Sequence, residues 1–224
     1  MARLPRAALA GHLHLVAQYA APGTGVFAQA ADRDAFAAAL REAAKAHQVA
    51  VHAYGLFDDG LRLLVTPGHA AGLSRMLQST GRRFVSGFNR RHQRTGPLWL
   101  GRFSAMLVEP GSGFIDCMRY AEAAPAEARA SSAAHHLGTH ADPVITDHPT
   151  YWVLGNTPFE REAAYRQLTE HSLTSEIQAS IESCLGAGWA YGTERFVAAA
   201  EAKASRRLRQ RARGRPPAAG RTEK

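Results

Sequence analysis

The sequence predicts an α+β fold of the ferredoxin-like, split βαβ plan, an antiparallel sheet with helices on one face. Three observations predict it. Apolar residues alternate in several short segments, they recur at helical spacing between those segments, and the elements follow the order β, α, β, β, α, β, α along the first half of the chain. We expect a C-terminal helical segment and a basic disordered tail to follow.

The first four elements are predicted from periodicity and turn residues. Residues 12–19 (HLHLVAQY) alternate as a strand, and a helix follows from Asp34, where apolar residues recur every three or four positions. The β-rich runs 49–57 and 61–66 flank Asp58-Asp59-Gly60, which predicts a hairpin because Asp-Gly tolerates positive φ.

The remaining elements complete the sheet and begin the helical segment. A long helix is expected over 70–91, with an apolar stripe made by Leu73, Met76, Leu77, Phe84 and Phe88. A strand over 99–108 and a helix over 113–122 follow, and short helices are expected at 158–168, 175–184 and 193–211. The predicted organisation is a domain over 1–140, a helical region over 141–202 and a basic tail over 203–224.

Composition narrows the class of protein. A chain of 224 residues with 46% hydrophobic content can bury a core. It lacks a run of about 20 apolar residues, so we expect no membrane partner and a cytoplasmic, nucleoid-associated protein. Cys117 and Cys184 lie far apart without a CxxC pattern, which argues against a zinc finger or a disulfide framework.

The net charge of +8 is concentrated in the tail. Residues 203–224 hold nine Lys or Arg and one Glu, whereas the other 18 basic and 18 acidic residues cancel. This pattern predicts a polyanion-binding arm, with a merely solubilising tail as the alternative. The Arg-Gly-Arg-Pro core at 213–216 is similar to an AT-hook. The DNA-contacting residues expected here are Arg206, Arg207, Arg209, Arg213 and Arg215.

A second basic region mixes arginines with aromatic residues. Six arginines are expected to contact DNA: Arg82, Arg83, Arg90, Arg91, Arg94 and Arg102. Phe84, Phe88 and Trp99 lie among them and could stack on exposed bases. The alternative is that Phe84 and Phe88 belong to the core and the arginines form a solvated helix edge.

Four ordered segments carry a resemblance to a known family. They are MARLPR...GHLHLV, HQVAVHAY, GLSRMLQSTGRRFVSGFNRRHQRTGPLWLGRF and CMRYAEAAPAEA. Together they resemble the REP-associated tyrosine transposases, the insertion-sequence-200-like branch of the HUH single-strand nucleases, which are bacterial mobile-element proteins. The resemblance implies binding to single-stranded hairpin or repeat DNA. It also implies cleavage through a phosphotyrosine bond, assisted by a divalent metal on a His-hydrophobic-His strand.

The resemblance places the nucleophile at Tyr120 and shows changed metal positions. Gly60 and Arg62 stand where the two histidines belong, and Ala124 stands where an asparagine belongs. We therefore expect no cofactor and an impaired enzyme, with Mg²⁺ or Mn²⁺ needed only if activity survives. Asp58 and Asp59 are candidate substitute ligands, although a surface turn is the competing role.

Other histidines of the sequence are alternative candidates for metal ligands. His12-Leu13-His14 spells the His-hydrophobic-His pattern but lies on a strand other than the catalytic one, and adjacent His135 and His136 are expected to point apart. Three functions remain: a DNA-binding protein without metal-dependent cleavage, an active tyrosine transposase with substitute ligands, and a non-enzymatic interaction module. The chain is expected to be a monomer or a homodimer.

Overall fold

The computed structural model describes residues 8–123 and 130–210. Within them, one antiparallel sheet of four strands has the order β2-β3-β1-β4, the order of the split βαβ plan. The strands are β1 (His14–Tyr19), β2 (Val49–Phe57), β3 (Gly60–Pro67) and β4 (Ser104–Leu107). The predicted fold class is therefore confirmed, with β1 beginning two residues later and β4 shorter than expected.

The central hairpin joins β2 to β3 around Asp58 and Asp59. Phe57 pairs with Gly60 at its end, as the Asp-Gly signal predicts. A β-bulge between Val51 and Ala53 leaves His52 as the extra residue of β2. A bulge changes the direction of the side chain that it contains. The His52 ring is buried, and its two nitrogens form hydrogen bonds with the carbonyl oxygen of Thr146 and the hydroxyl of Thr66.

Two helices cover the first face of the sheet. They are α1 (Ala30–Ala46) and α2 (Gly72–Arg91). The five stripe residues predicted for the second of them are all buried in the core of this face, which confirms Phe84 and Phe88 as core residues. Phe36 of α1 meets Phe84 edge to face at 5.2 Å. Aromatic packing therefore fixes the two helices against each other and against the strands.

The second face of the sheet is also covered by helices. Five helices cover it: α3 (Ser112–Glu122), α4 (Ala133–His136), α5 (Pro149–Trp152), α6 (Pro158–Thr169) and α7 (Ser175–Ala187). The expectation of helices on one face is thus incomplete, because Leu15, Leu64 and Met106 are apolar on this side and need a cover. Tyr165 and Ile181, from the segment after residue 140, share that core.

The last helix, α8 (Glu194–Ala204), and the segment after it pack beside β4. Leu208 is fully buried against Leu107, Val197 and Ala200. The tail expected to be disordered from residue 203 is therefore ordered at least through Leu208, because an apolar anchor follows the helix. Residues 211–224, with the AT-hook-like pattern, lie outside the described part. None of the helices described is both long and apolar enough to cross a bilayer.

Candidate nucleic-acid interface and tyrosine centre

Tyr120 lies on α3 with its ring buried in the second face of the sheet, 2% exposed. The guanidinium of Arg62, from β3, stacks on this ring with Cζ 3.9 Å from the ring centroid. Its Nη1 donates a hydrogen bond to the Tyr120 carbonyl oxygen at 2.9 Å. The same guanidinium carbon lies 4.4 Å from the centroid of the Phe57 ring. A cation held beside two rings therefore covers the tyrosine.

The two positions at which the resemblance places metal-binding histidines, Gly60 and Arg62, do not fit a divalent ion. Gly60 has a φ of +156°, and a Cβ added there would lie 2.3 Å from the carbonyl oxygen of Gln18. Arg62 offers only donors and a permanent positive charge. The third position, Ala124, lies outside the described residues. Metal-dependent activation of Tyr120 thus does not follow from the side chains around it.

The Tyr120 hydroxyl is also held in its neutral form. Its pKa is raised to about 12, first by burial and then by its interactions with Glu182 of α7, whose hydrogen bond favours the protonated phenol. The positive charge of Arg62 offsets only part of that rise. At pH 7 only roughly one hydroxyl in 10⁵ would be ionised. A phenol with so high a pKa is a poor nucleophile unless a base takes its proton as it attacks, and the Glu182 carboxylate is the group hydrogen-bonded to it.

The other candidate ligands of the sequence are occupied in different ways. Asp58 and Asp59 are exposed at the β2–β3 turn, and their carbonyl oxygens accept hydrogen bonds from Val26 and Ala20. Their role as substitute ligands stays a prediction. His14 is fully buried, and its Nδ1 donates to the carbonyl oxygen of His12 at 2.6 Å. His12 Nδ1 likewise donates to the carbonyl oxygen of Ala10 at 2.8 Å, so both imidazoles are engaged with the backbone.

An open basic groove runs along the exposed edge of α2. The loop before β4 forms its other wall with Trp99 and Phe103, and its volume is about 420 Å³. The charged residues that line it are three exposed arginines: Arg75, Arg82 and Arg102. No acidic residue of the described ranges lines it. Exposed guanidinium groups beside partly exposed rings can hold phosphates and stack on bases.

The groove includes one arginine that the sequence reading missed. Arg75 and Arg82 are seven residues apart on α2, which places them on the same side of the helix. That spacing was the available signal. Arg102, predicted as a DNA contact, joins them from the opposite wall. The groove is therefore assembled from α2 and a loop that is 20 residues away in the chain.

Several other predicted contacts are used within the fold. Arg91 donates from Nε and Nη2 to Oδ1 of the fully buried Asp32 at 3.0 and 2.5 Å, so it ties α2 to α1. Arg83 forms an ion pair with Glu42 of α1. Arg94 lies 5.8 Å from the Phe88 ring centroid, and Arg90 is exposed at the end of α2.

The tail arginines divide in the same way. Arg206 donates from Nη2 to the carbonyl oxygen of Gly188 at 2.6 Å, and Arg209 forms an ion pair with Glu201 at 3.4 Å. Arg207 is exposed. Arg213 and Arg215 lie outside the described residues, so their DNA contacts stay a prediction.

One cluster contradicts the sequence reading. His135 and His136 do not point apart: their ring centroids are 5.1 Å apart, and an Nε2 of each lies near Oδ1 of Asp147. A short helix and the loop after it bring them together. Spacing could not predict this, because Asp147 is 11 residues further along the chain.

The described residues form an α+β protein with one four-stranded antiparallel sheet and a buried tyrosine on its second face. One solved structure with a distant likeness in fold is a REP-associated tyrosine transposase bound to a REP hairpin. The two chains share 11% identity at a TM-score of 0.45, over 55% of this chain and 71% of that one. Neither a family model nor a curated protein matches the sequence.

Proposed function

We propose that the chain is a DNA-binding protein that holds single-stranded hairpin or repeat DNA in its basic groove and does not cut it at Tyr120. The observation that carries the proposal is the groove. It brings three exposed arginines and two partly exposed aromatic rings to one surface without an acidic residue of the described ranges. Charge and ring placement of this kind suits a nucleic-acid strand.

The groove has separate means to hold the backbone and the bases of such a strand. Arg75 and Arg82 on one wall and Arg102 on the other can each form forked hydrogen bonds with phosphate oxygens. Trp99 offers a large ring face on which a base can stack. These contacts favour unpaired bases, since a base within a duplex is not free to stack on a side chain. The resemblance in the sequence names hairpin DNA as the first strand to try.

The tyrosine centre supports binding without cleavage. Arg62 stacks on Tyr120 at 3.9 Å, and the hydroxyl has a pKa of about 12. Phosphoryl transfer relies on positioned positive charge at the scissile phosphate and on an activated nucleophile. Here the guanidinium is directed to the ring and the carbonyl oxygen of the tyrosine, while the nucleophile stays protonated.

Two neighbouring arginines test the groove. Arg82 lines it, whereas Arg83, the next residue on the same helix, pairs with Glu42. Anisotropy of a labelled single-stranded hairpin should show the Arg82→Ala, Arg102→Ala double variant at least tenfold weaker than the wild type. The slope of log affinity against log salt should become shallower by about 1.4, because each lost phosphate contact on a single strand accounts for about 0.7.

The matched control for Arg82→Ala alone is Arg83→Ala, which removes the same charge from the same helix and should change affinity less than threefold. Equal losses in both variants would show that general charge, not the groove, binds the strand. An absence of hairpin binding by the wild type at moderate salt would favour the interaction-module alternative.

A further inference from the structure

A cluster on the second face of the sheet has the composition of a metal site. His135 and His136 come from α4, and Asp147 comes from the loop before α5. Each offers a ligand atom, and these atoms lie within 4.8 Å of one another. Oδ1 of Asp147 is 3.3 Å from Nε2 of His135 and 4.0 Å from Nε2 of His136. Among the described residues, this is the one group of three such side chains with that geometry.

We propose that His135, His136 and Asp147 bind a divalent transition-metal ion of the zinc class. Imidazole nitrogens and one carboxylate suit zinc and its neighbours, whereas Mg²⁺ prefers oxygen ligands. Bonds of about 2.0–2.1 Å in a tetrahedral site separate ligand atoms by roughly 3.3 Å. The His135–Asp147 pair already has that separation, and His136 would have to close from 4.0 Å to Asp147 and from within 4.8 Å of the ligand atom of His135.

His136 is oriented as a ligand by a buried carboxylate. The ring is 1% exposed, and its Nδ1 donates to Oε1 of Glu122 at 2.6 Å, which leaves the Nε2 lone pair directed towards Asp147. Glu122 is fixed in turn by donors from Ser132 and, at 2.5 Å, from Tyr165. A carboxylate behind a ligand histidine sets its tautomer and its direction.

The charges of the cluster favour a cation. Glu122 and Asp147 are two carboxylates, and neither forms an ion pair with a Lys or Arg of the described residues. An ion of charge +2 with two neutral imidazoles would balance both carboxylates. The competing arrangement is metal-free, with His136 donating to Glu122 and His135 donating to Asp147.

Metal binding would replace two hydrogen bonds of His135. Nδ1 of His135 accepts the backbone N–H of Asp142 at 3.1 Å, so Nε2 carries the proton and donates to Asp147 in the metal-free state. Coordination through Nε2 places the ring proton on Nδ1 and gives up both contacts. The ion replaces these two hydrogen bonds with two metal–nitrogen bonds and one metal–oxygen bond.

The ion would fasten the segment after α3 to the sheet's second face. His135 and Asp147 are 24% and 30% exposed, so three protein ligands leave a coordination position open to water. Glu122 links the site to α3, the helix that carries Tyr120. The site is separate from the basic groove and does not depend on DNA binding.

Zinc binding by the full-length protein tests the proposal. Protein stripped with a chelator is titrated calorimetrically with Zn²⁺, and the expected stoichiometry is one. His135→Gln and Asp147→Asn are partly exposed positions that the fold should tolerate, as circular dichroism will verify. Each should weaken zinc binding at least tenfold and abolish the zinc-dependent rise in Tm. The control is His140→Gln, an exposed histidine nearby, which should bind as the wild type does.

Cobalt provides a readout independent of any variant. Co²⁺ added to the stripped wild type should give visible absorption bands of a low-coordinate nitrogen and oxygen site, and one equivalent of Zn²⁺ should remove them. The proposal is overturned if the wild type binds no stoichiometric zinc. It is also overturned if His135→Gln and Asp147→Asn retain wild-type affinity, or if His140→Gln loses as much.

Discussion

The two faces of the sheet treat charged and aromatic groups in opposite ways. On the α2 side, Arg75, Arg82 and Arg102 are exposed around an open groove. On the α3 side, the guanidinium of Arg62 is stacked on buried Tyr120 and donates to the carbonyl oxygen of the same residue. The same residue type thus lines an exposed groove on one face and covers a buried ring on the other. Because the groove and the tyrosine centre lie on different faces, substitutions in one need not alter the other.

The cover on the α3 side is built from several weak contacts. Arg62 gains cation–π interactions with Tyr120 and Phe57 and one hydrogen bond to a carbonyl oxygen. Contacts of these kinds contribute about 0.5–2 kcal/mol each in a partly desolvated site. Returning Arg62 to solvent would break all of them at once, so the covered state is the stable one.

The largest expected effect comes from placing a histidine at position 60, where β3 begins. Gly60→His should destabilise the protein by about 3 kcal/mol or more, because the new Cβ would meet the Gln18 carbonyl oxygen and φ is +156°. Urea unfolding followed by circular dichroism measures this. Arg62→His is the control, because its backbone is ordinary strand. A stable Gly60→His protein that binds Mn²⁺ would break the comparison between the faces.

Two truncations separate the structural role of the C-terminal segment from its contribution to DNA binding. Ending the chain after Ala202 removes buried Leu208 and should cost about 3 kcal/mol of stability. Ending it after Gln210 spares that anchor and removes five basic residues: Arg211, Arg213, Arg215, Arg221 and Lys224. The second truncation should leave Tm unchanged and reduce the salt slope of DNA binding by roughly one to three. An unchanged slope would show that the groove binds DNA without the tail.

Acid should destabilise the fold through the protonation of buried His52. Burial lowers the pKa of His52 from 6.5 to about 4, and the charges of nearby His148 and His136 add to the shift. Since the unfolded chain binds this proton more readily, stability is complete above pH 6.5 and falls as the pH drops towards 4, by at most about 3 kcal/mol. Urea unfolding at several pH values measures the slope. His52→Gln should flatten it, and a slope that survives in this variant would assign the loss to another group.

The smallest effect is expected for Arg62→Ala. The protein should lose about 1–2 kcal/mol of stability and should still fold, because Tyr120 remains packed in the core. The pKa of Tyr120 should rise, since the positive charge of Arg62 lowers it in the wild type. Tyrosine ring resonances followed by NMR at high pH test this. A Tyr120 whose ionisation is unchanged in the variant would show that the charge of Arg62 does not act on it.

The fold was predictable from local patterns. Alternation, helical spacing and the Asp-Gly turn gave the strand order and the buried stripe of α2. The second helical layer was harder to foresee. Short helices such as α6 carry few apolar residues, with Tyr165 its one buried side chain, so their packing partner is not visible in the periodicity.

The site was only partly predictable, because its contacts join residues that are distant in sequence. The position of Arg62 suggested a lost metal site, but its stack on Tyr120 joins residues 58 positions apart. The sequence does not distinguish Arg91 from its basic neighbours, because its hydrogen-bond partner, the buried Asp32, lies on another helix. The pairing of His135 and His136 with Asp147 depends on a loop that carries no periodic signal.

The most direct test measures binding and cleavage in one reaction. A labelled single-stranded hairpin is incubated with the full-length protein and either Mg²⁺ or Mn²⁺, then divided between a native gel and a denaturing gel. We predict that the native gel shows a complex and the denaturing gel shows neither a nick nor a covalent adduct. A nick or adduct that disappears in Tyr120→Phe would contradict the claim that this protein binds DNA without cutting it.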